Sequence, residues 1–213
     1  MTASRPGFFN ALPDFGLAAV FLVTWVMPNA LGDHMVKWLL VVMLMEFIVI
    51  HSAAIMGTVA FGAGGRGKRG AAVLGLGGFY TLFAGGISFA FSSWWPITSF
   101  WGQTLNRLLG VLLGRGEDAE QKATVMRGWS VAVMLYVLGC LVTVVVPMPA
   151  LGITPAVIAA QHIPGRGLWV EHPERVIAFG FLYYLLTAWS ELGGHAWAKR
   201  PGGGGPSAAP PFK

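Results

Sequence analysis

Two ionisable residues, Glu46 and His51, interrupt an otherwise apolar run of the chain, MLMEFIVIHSAAIMG, between Met43 and Gly57. A carboxyl group and an imidazole are side chains that commonly move protons or bind metal ions. In lipid both are costly unless they are paired or hydrated, so they indicate a polar site inside the protein. The two residues are five positions apart, which is about 140° around a helix. They therefore belong to two different sites.

The residue that best matches Glu46 is Arg107. Counted along the apolar runs that contain them, both residues lie about ten positions in, or about 15 Å at 1.5 Å per residue. That depth is close to the middle of a bilayer. We therefore predict that Glu46 and Arg107 face each other, and that Gln103 and Asn106 complete a polar patch beside Arg107. Such a pair fixes helix packing, or it lines a water-filled cavity, a ligand pocket or a proton path.

A second polar group is predicted near the inner face of the membrane. His51 lies about as deep as Glu191 in the last apolar run, and His195 follows Glu191 by one helical turn. We expect these three residues to gather. They could titrate near neutral pH, or the two histidines could ligate haem or a metal ion. The alternative is structural, with each histidine hydrogen-bonded to a neighbouring helix. The sequence requires no cofactor, although haem, a quinone or a pigment is compatible with it.

The composition indicates a membrane protein. Of the 213 residues 55% are hydrophobic and only 11% are charged, whereas soluble domains usually contain about a quarter charged residues. The single cysteine, Cys140, excludes an intramolecular disulfide and any site built from several cysteines. The basic residues are scattered between apolar runs rather than clustered, so nucleic-acid binding is not predicted.

Six apolar runs are predicted to be helices, because lipid offers the backbone no other hydrogen-bonding partners. Most of them approach the 20 or so residues that cross a hydrocarbon core. We therefore predict an all-α polytopic membrane protein with about six transmembrane helices, which form a single domain over residues 1–199. A Gly/Pro-rich tail occupies residues 200–213. The six runs cover residues 15–30, 35–59, 71–94, 97–114, 129–146 and 176–192.

The distribution of basic residues predicts the topology. With a cytoplasmic N-terminus and six spans, ten of the 14 Lys and Arg residues lie on the cytoplasmic side, three lie outside, and Arg107 lies within a span. This asymmetry follows the positive-inside rule. Both termini are therefore expected in the cytoplasm, and the chain is expected in the inner membrane of a bacterium.

The connecting segments carry further expectations. Residues 61–70, FGAGGRGKRG, are predicted to be a flexible basic loop, and residues 92–101 are predicted to be a tight turn rich in tryptophan. Residues 114–128 are the most soluble stretch and are expected to form a short surface helix. The long outer connection contains TPAVIAAQHIPG, which is expected to form a short interfacial or re-entrant helix ended by Pro164.

Small residues recur at four-residue steps on two helices, where they let helix backbones approach closely. Such faces are used either for packing within the chain or for contact with another subunit. The first face contains Gly77, Thr81 and Gly85, and the second contains Gly102, Gly110 and Gly114, with Asn106 between them.

No catalytic motif is present, and no spacing of histidines and acidic residues matches a known metal site, so an enzyme is not favoured. The features that remain favour a non-catalytic accessory or structural subunit of a larger membrane complex. Its partners would be membrane lipids and other membrane subunits or further copies of itself. One alternative is a small transporter or carrier with a midplane site at Glu46 and Arg107. Another is a haem- or quinone-binding redox protein that uses His51 and His195.

Overall fold

The structure, a computed structural model, describes residues 7–113 and 119–193. All regular secondary structure in those ranges is helical, so the predicted all-α class is confirmed. Six long helices and two short ones follow one another in the described ranges. They are α1 (Gly7–Val26), α2 (Met35–Ala60), α3 (Arg66–Ala90), α4 (Trp95–Leu112), α5 (Ala119–Val145), α6 (Pro155–Gln161), α7 (Leu168–Glu171) and α8 (Pro173–Leu192).

Prolines mark several of the helix boundaries. Pro28 follows the end of α1, where a residue without an N–H cannot continue the ladder of hydrogen bonds. Pro96 and Pro173 lie in the first turns of α4 and α8, where the missing N–H is not needed. The short helix α6 begins with Pro155, and Thr154 caps it by accepting a hydrogen bond from the N–H of Val157.

Three helices are long and apolar enough to cross a membrane: α2, α3 and the Val125–Val145 part of α5. The prediction of a helical membrane protein is confirmed to this extent. Helix α1 contributes a shorter apolar stretch, Ala11–Val26. The number of six spans and the location of the termini stay predictions.

The six long helices alternate in direction. Helix α5 runs antiparallel to α2, because Trp129 Nε1 donates to the carbonyl of Ile50 and Tyr136 Oη donates to the carbonyl of Met43. Helix α4 runs antiparallel to α3, since Gly77 lies against Thr104. Helices α1 and α8 are also antiparallel and pack closely at Gly180.

Helix α2 lies at the centre of the bundle. It contacts α3 and α4 on one side and α5 and α8 on the other, and it contributes a large share of the buried apolar side chains. We call the end of the bundle where α2 ends and α3 begins the basic end, because Arg66, Lys68 and Arg69 lie there.

Several segment predictions need correction. Residues 66–70 are not loop but the first turn of α3, so the loop between α2 and α3 covers only residues 61–65. Of the predicted surface helix over residues 114–128, residues 114–118 lie outside the described residues, and residues 119–128 are the first part of α5 rather than a separate helix. The turn between α3 and α4 covers residues 91–94, and the rest of its predicted range belongs to α4.

The long outer connection is anchored to the helices beside it. The predicted short helix is confirmed as α6; it ends at Gln161 rather than at Pro164, because His162 takes a left-handed backbone conformation with φ 47°. Gln161 is buried, and its Oε1 accepts a hydrogen bond from the N–H of Lys37 at 3.1 Å. Earlier in the connection, Gly152 lies directly against the carbonyl of Val26, where a side chain would not fit. The predicted tail, residues 200–213, lies outside the described residues.

Candidate functional site

The carboxyl group of Glu46 lies between α2 and α8, where it is hydrogen-bonded by two tyrosines. Tyr183 Oη donates to Oε1 at 2.8 Å, and Tyr184 Oη donates to Oε2 at 3.3 Å. Both tyrosines are buried. Tyr136 packs edge-on against Tyr183 with the ring centroids 5.6 Å apart and extends this aromatic cluster to α5. The cluster gives the carboxyl group a donor for each oxygen inside an apolar bundle.

Arg107 has different partners, so the predicted pair with Glu46 is wrong. Its Nη1 lies 3.4 Å from Ser52 Oγ and 3.7 Å from Met56 Sδ, both on α2. Ser52 and Met56 follow Glu46 by six and ten positions, which is about 9 and 15 Å along the helix. Arg107 therefore contacts α2 closer to its C-terminal end than the position of Glu46, and the two side chains do not meet.

The physical reason is a stagger between the helices. Equal distances from the starts of two apolar runs correspond to equal depths only if the two runs begin at the same position along the bundle axis. In the structure His51 is level with Tyr80, and Thr104 is level with Gly77. Helix α3 contacts both α2 and α4, so these two contacts give the position of α4 relative to α2 along the bundle. The first residue of α4 lies about three helical turns closer to the basic end than the first residue of α2. Arg107 consequently reaches the last third of α2.

Arg107 lines a partly open pocket between α2, α4 and α5, with a volume of about 460 Å³. We call it the Arg107 pocket. Its floor is formed by small and apolar residues of α2, and its two walls are formed by α4 and α5. The lining includes Ala53, Met56 and Gly57 of α2, Asn106, Arg107, Gly110 and Val111 of α4, and Met126 and Trp129 of α5.

The two amides expected beside Arg107 are exposed. Asn106 lies next to Arg107 in the wall of the pocket. Gln103 lies one turn before Arg107 on the outer face of α4. Among the described residues, neither side chain has a hydrogen-bonding partner. The predicted polar patch therefore exists on α4, but it faces outward rather than toward Glu46.

The predicted trio of His51, Glu191 and His195 is not assembled by the described part of the chain. His51 Nδ1 is hydrogen-bonded to Tyr80 Oη at 2.7 Å, and its ring stacks on Phe47 with centroids 5.8 Å apart. Glu191, on α8, instead has a buried Oε2 that has no hydrogen-bonding partner among the described residues. His195 lies outside the described residues. Among the described residues, the side-chain partners of His51 are thus Tyr80 on α3 and Phe47 on its own helix, and no contact joins it to Glu191.

Tyrosines were the site residues that sequence reasoning missed. The chain has only four, and all four hydroxyls make hydrogen bonds to a polar group of another helix. A tyrosine hydroxyl in an apolar helix needs such a partner. The adjacent pair Tyr183 and Tyr184, within an apolar run, was the signal that a buried acceptor must lie opposite.

The two small-residue faces have different surroundings. On α3, Gly77 is buried, and a Cβ added there would lie 3.0 Å from Thr104; Gly85 lies against Ile97, and the hydroxyl of Thr81 bonds back to the Gly77 carbonyl. That face packs within the chain. On α4, Gly102 and Gly110 have open space where a Cβ would be. Gly114 lies outside the described residues.

Among residues 7–113 and 119–193, no group of three or more His, Cys, Asp or Glu side chains is placed to hold a metal ion. Comparison with family models, with curated proteins and with solved structures finds no match for this chain. The candidate sites therefore rest on geometry alone: the Glu46–tyrosine cluster, the Arg107 pocket, the His51–Tyr80 pair and the exposed face of α4.

Proposed function

We propose that this protein is a non-catalytic subunit of a larger membrane assembly, and that it binds its partner through the outer face of α4. The observation that carries the proposal is the exposure of two amide side chains, Gln103 and Asn106, in the middle of that helix. Small residues flank them on the same face. Together they form the α4 stripe, which consists of Ser99, Gly102, Gln103, Asn106 and Gly110.

Contacts with α3 support a membrane depth for the stripe. Helix α3 is one of the three helices that can cross a membrane. Helix α4 packs along it, with Ile97 against Gly85 at one end and Leu108 against Gly70 at the other. A helix that follows a spanning helix over such a length lies at the same depth. Gln103 is then level with the centre of α3 and faces hydrocarbon.

Exposed amides at that depth favour a protein partner. An amide that leaves water without a compensating hydrogen bond loses several kcal/mol in a medium that offers no partners. Side chains such as Asn and Gln hydrogen-bond across packed membrane helices, and small residues beside them let the two backbones approach. A partner helix along the α4 stripe meets both requirements, whereas lipid chains meet neither.

The proposal includes six spans with both termini in the cytoplasm of a bacterium, in its inner membrane. The alternating directions of the six long helices support it, since each crossing reverses the chain. The basic end supports it as well, because three Lys and Arg residues of the described chain lie there and basic residues are retained on the cytoplasmic side.

The test is the native size of the protein after mild solubilisation from its own membrane. We expect the wild-type protein to migrate as a complex, and the double variant Gln103→Leu/Asn106→Leu to lose its partner while remaining folded. Thr98→Val is the matched control. Thr98 is also exposed on α4, but its hydroxyl is bonded to carbonyls of its own helix, so this change should leave the complex intact. A wild-type monomer, or a complex that survives the double variant, contradicts the proposal.

Of the two alternatives, the carrier loses its proposed site, because Glu46 and Arg107 do not meet. The redox alternative retains one observation. The imidazole of His51 is exposed on α2 between two aromatic rings, Phe47 and Tyr80, and its Nδ1 is fixed by the Tyr80 hydroxyl. A fixed ring with its other nitrogen directed outward is the arrangement in which histidine ligates haem iron. His51 thus supports a haem- or quinone-binding protein as the second candidate.

A further inference from the structure

In the part of the chain that the structure describes, the cation of the Arg107 pocket has no counter-charge. Among the described residues, no acidic side chain forms a salt bridge with Arg107, and the two side chains that contact it, Ser52 and Met56, are uncharged. Asp14 of α1 and Glu191 of α8 interact electrostatically with each other, and neither acts on Arg107.

An unpaired guanidinium inside a membrane bundle needs an anion. Charges at such depths are retained when they are paired or hydrated, and they mark ligand or ion sites. A guanidinium also presents several N–H donors in a plane, a geometry that matches phosphate and carboxylate oxygens. Arg107 uses one donor on a neutral hydroxyl at a long 3.4 Å. Most of its donors therefore remain for a ligand in the pocket.

The surroundings of the pocket select the kind of anion. Its volume of about 460 Å³ falls within the range of small-molecule sites. Apart from Asn106 and Arg107, its lining consists of apolar residues and glycines, with Met56, Phe61, Met126 and Trp129 as its larger side chains. A ligand with a charged head and an apolar body fits this lining better than a free ion, which would have to give up its water to apolar walls.

The position of the pocket also favours an anionic ligand with an apolar body. It includes Phe61, which begins the loop between α2 and α3, so it lies toward the basic end. Lys68 and Arg66, both exposed at the start of α3, add positive charge at that end. Basic clusters at the inner membrane surface attract anionic headgroups and raise their local concentration.

We propose that the Arg107 pocket binds an anionic phospholipid. The phosphate oxygens accept hydrogen bonds from the Arg107 guanidinium, and the first part of an acyl chain lies against Met56 and Trp129. Arg107 is the residue that distinguishes an anionic from a neutral headgroup. The inference goes beyond the subunit proposal and does not depend on it, because Arg107, the residue that carries it, is not part of the α4 stripe.

The test is lipid binding to the delipidated, full-length protein in neutral detergent, measured by native mass spectrometry. The lipids are phosphatidylglycerol and phosphatidylcholine with the same acyl chains. We expect the wild-type protein to retain phosphatidylglycerol preferentially. Arg107→Met should weaken that binding at least about tenfold, since a charged hydrogen bond is lost. Arg107→Lys, which keeps the charge, should restore part of the preference.

The matched control is Lys68→Met. It removes one positive charge from the basic end without changing the pocket lining, and it should alter phosphatidylglycerol binding less than about twofold, as a screened surface charge does. Arg107→Met also removes an unpaired charge from the bundle, so this variant is expected to fold and to unfold no more easily than the wild-type protein in lipid-free detergent.

Three results would overturn the inference. The first is phosphatidylglycerol binding by Arg107→Met that equals wild-type binding. The second is equal retention of the two lipids by the wild-type protein. The third is displacement of the bound lipid by glycerol 3-phosphate at the same concentration as by the intact lipid, because the pocket would then recognise a free phosphate rather than a phospholipid.

Discussion

Tyr183 donates a 2.8 Å hydrogen bond to the carboxyl group of Glu46 and thereby joins α8 to α2 in the interior of the bundle. The residue that follows it, Tyr184, donates to the second carboxyl oxygen at 3.3 Å. Adjacent positions on one helix thus serve two oxygens of one side chain. Apolar side chains surround this contact, so the carboxyl group has few alternative hydrogen-bonding partners. The burial of the Glu46 carboxyl group therefore depends on the two tyrosine hydroxyls.

We first predict that Tyr183→Phe destabilises the protein by about 1–3 kcal/mol, since it leaves a buried acceptor with no donor while the ring packing is kept. Tyr184→Phe should cost less, because its hydrogen bond is longer. The measurement is the free energy of unfolding in mixed micelles titrated with a denaturing detergent. Tyr183→Phe should become nearly neutral in a Glu46→Leu background; an unchanged cost there would contradict the assigned hydrogen bond.

The second prediction concerns the independence of Glu46 and Arg107. Because they contact different levels of α2, the free-energy changes of Glu46→Gln and Arg107→Met should add to within about 0.5 kcal/mol in the double variant. Exchanging the two charges, as Glu46→Arg with Arg107→Glu, should be no better than the worse single change. Rescue by the double exchange would show that the two side chains meet after all.

The third prediction tests the packing of α1 against α8. A Cβ added at Gly180 would overlap the ring of Phe21, which is fully buried and cannot move away. Gly180→Ala should therefore destabilise the protein by about 1–3 kcal/mol. Gly78→Ala is the control, because a Cβ there has open space on a helix and should be neutral or slightly stabilising. If the two changes had equal effects on stability, α1 and α8 would not be packed closely at Gly180.

The fourth prediction separates the two candidate functions. If the protein is a non-catalytic subunit, the pure protein should show no Soret absorption, and His51→Ala should leave its spectrum unchanged. A Soret band in the wild-type protein that disappears in His51→Ala would replace the subunit function by the redox one. Tyr80→Phe is the accompanying control, because it frees His51 Nδ1 while leaving the ligating nitrogen in place.

Local chemistry made several features predictable. The apolar runs determine that these segments are helices, because a chain in lipid must satisfy its backbone hydrogen bonds internally. The short helix α6 was also expected in the outer connection, and it depends on neighbouring residues, since Thr154 and Pro155 begin it. Gly77 and Gly85 were recognised as packing positions for a comparable reason, since absence of a side chain is a property of the residue itself.

Partners across helices were not predictable in this way. The sequence shows that Glu46 and Arg107 need partners, but it does not contain the stagger of α4 against α2 that decides which groups they meet. It shows His51 and Glu191 at matching depths, but depth leaves the rotation of each helix undetermined. The partner of a side chain depends on the stagger and on the rotation of its helix. Stagger and rotation are both set by the packing of the apolar side chains in the bundle.

Residue types and their order along the chain were thus enough to predict an all-helical fold with helices apolar enough to cross a membrane, and to single out the residues that are too polar to face lipid unpaired. Only the packed bundle shows that Glu46 is bonded by two tyrosines, that Arg107 lines a pocket and that the amides of α4 face outward. The difference has one physical cause. Helix formation is governed by contacts between near neighbours in the chain, whereas helix stagger and rotation are governed by contacts between residues far apart in it.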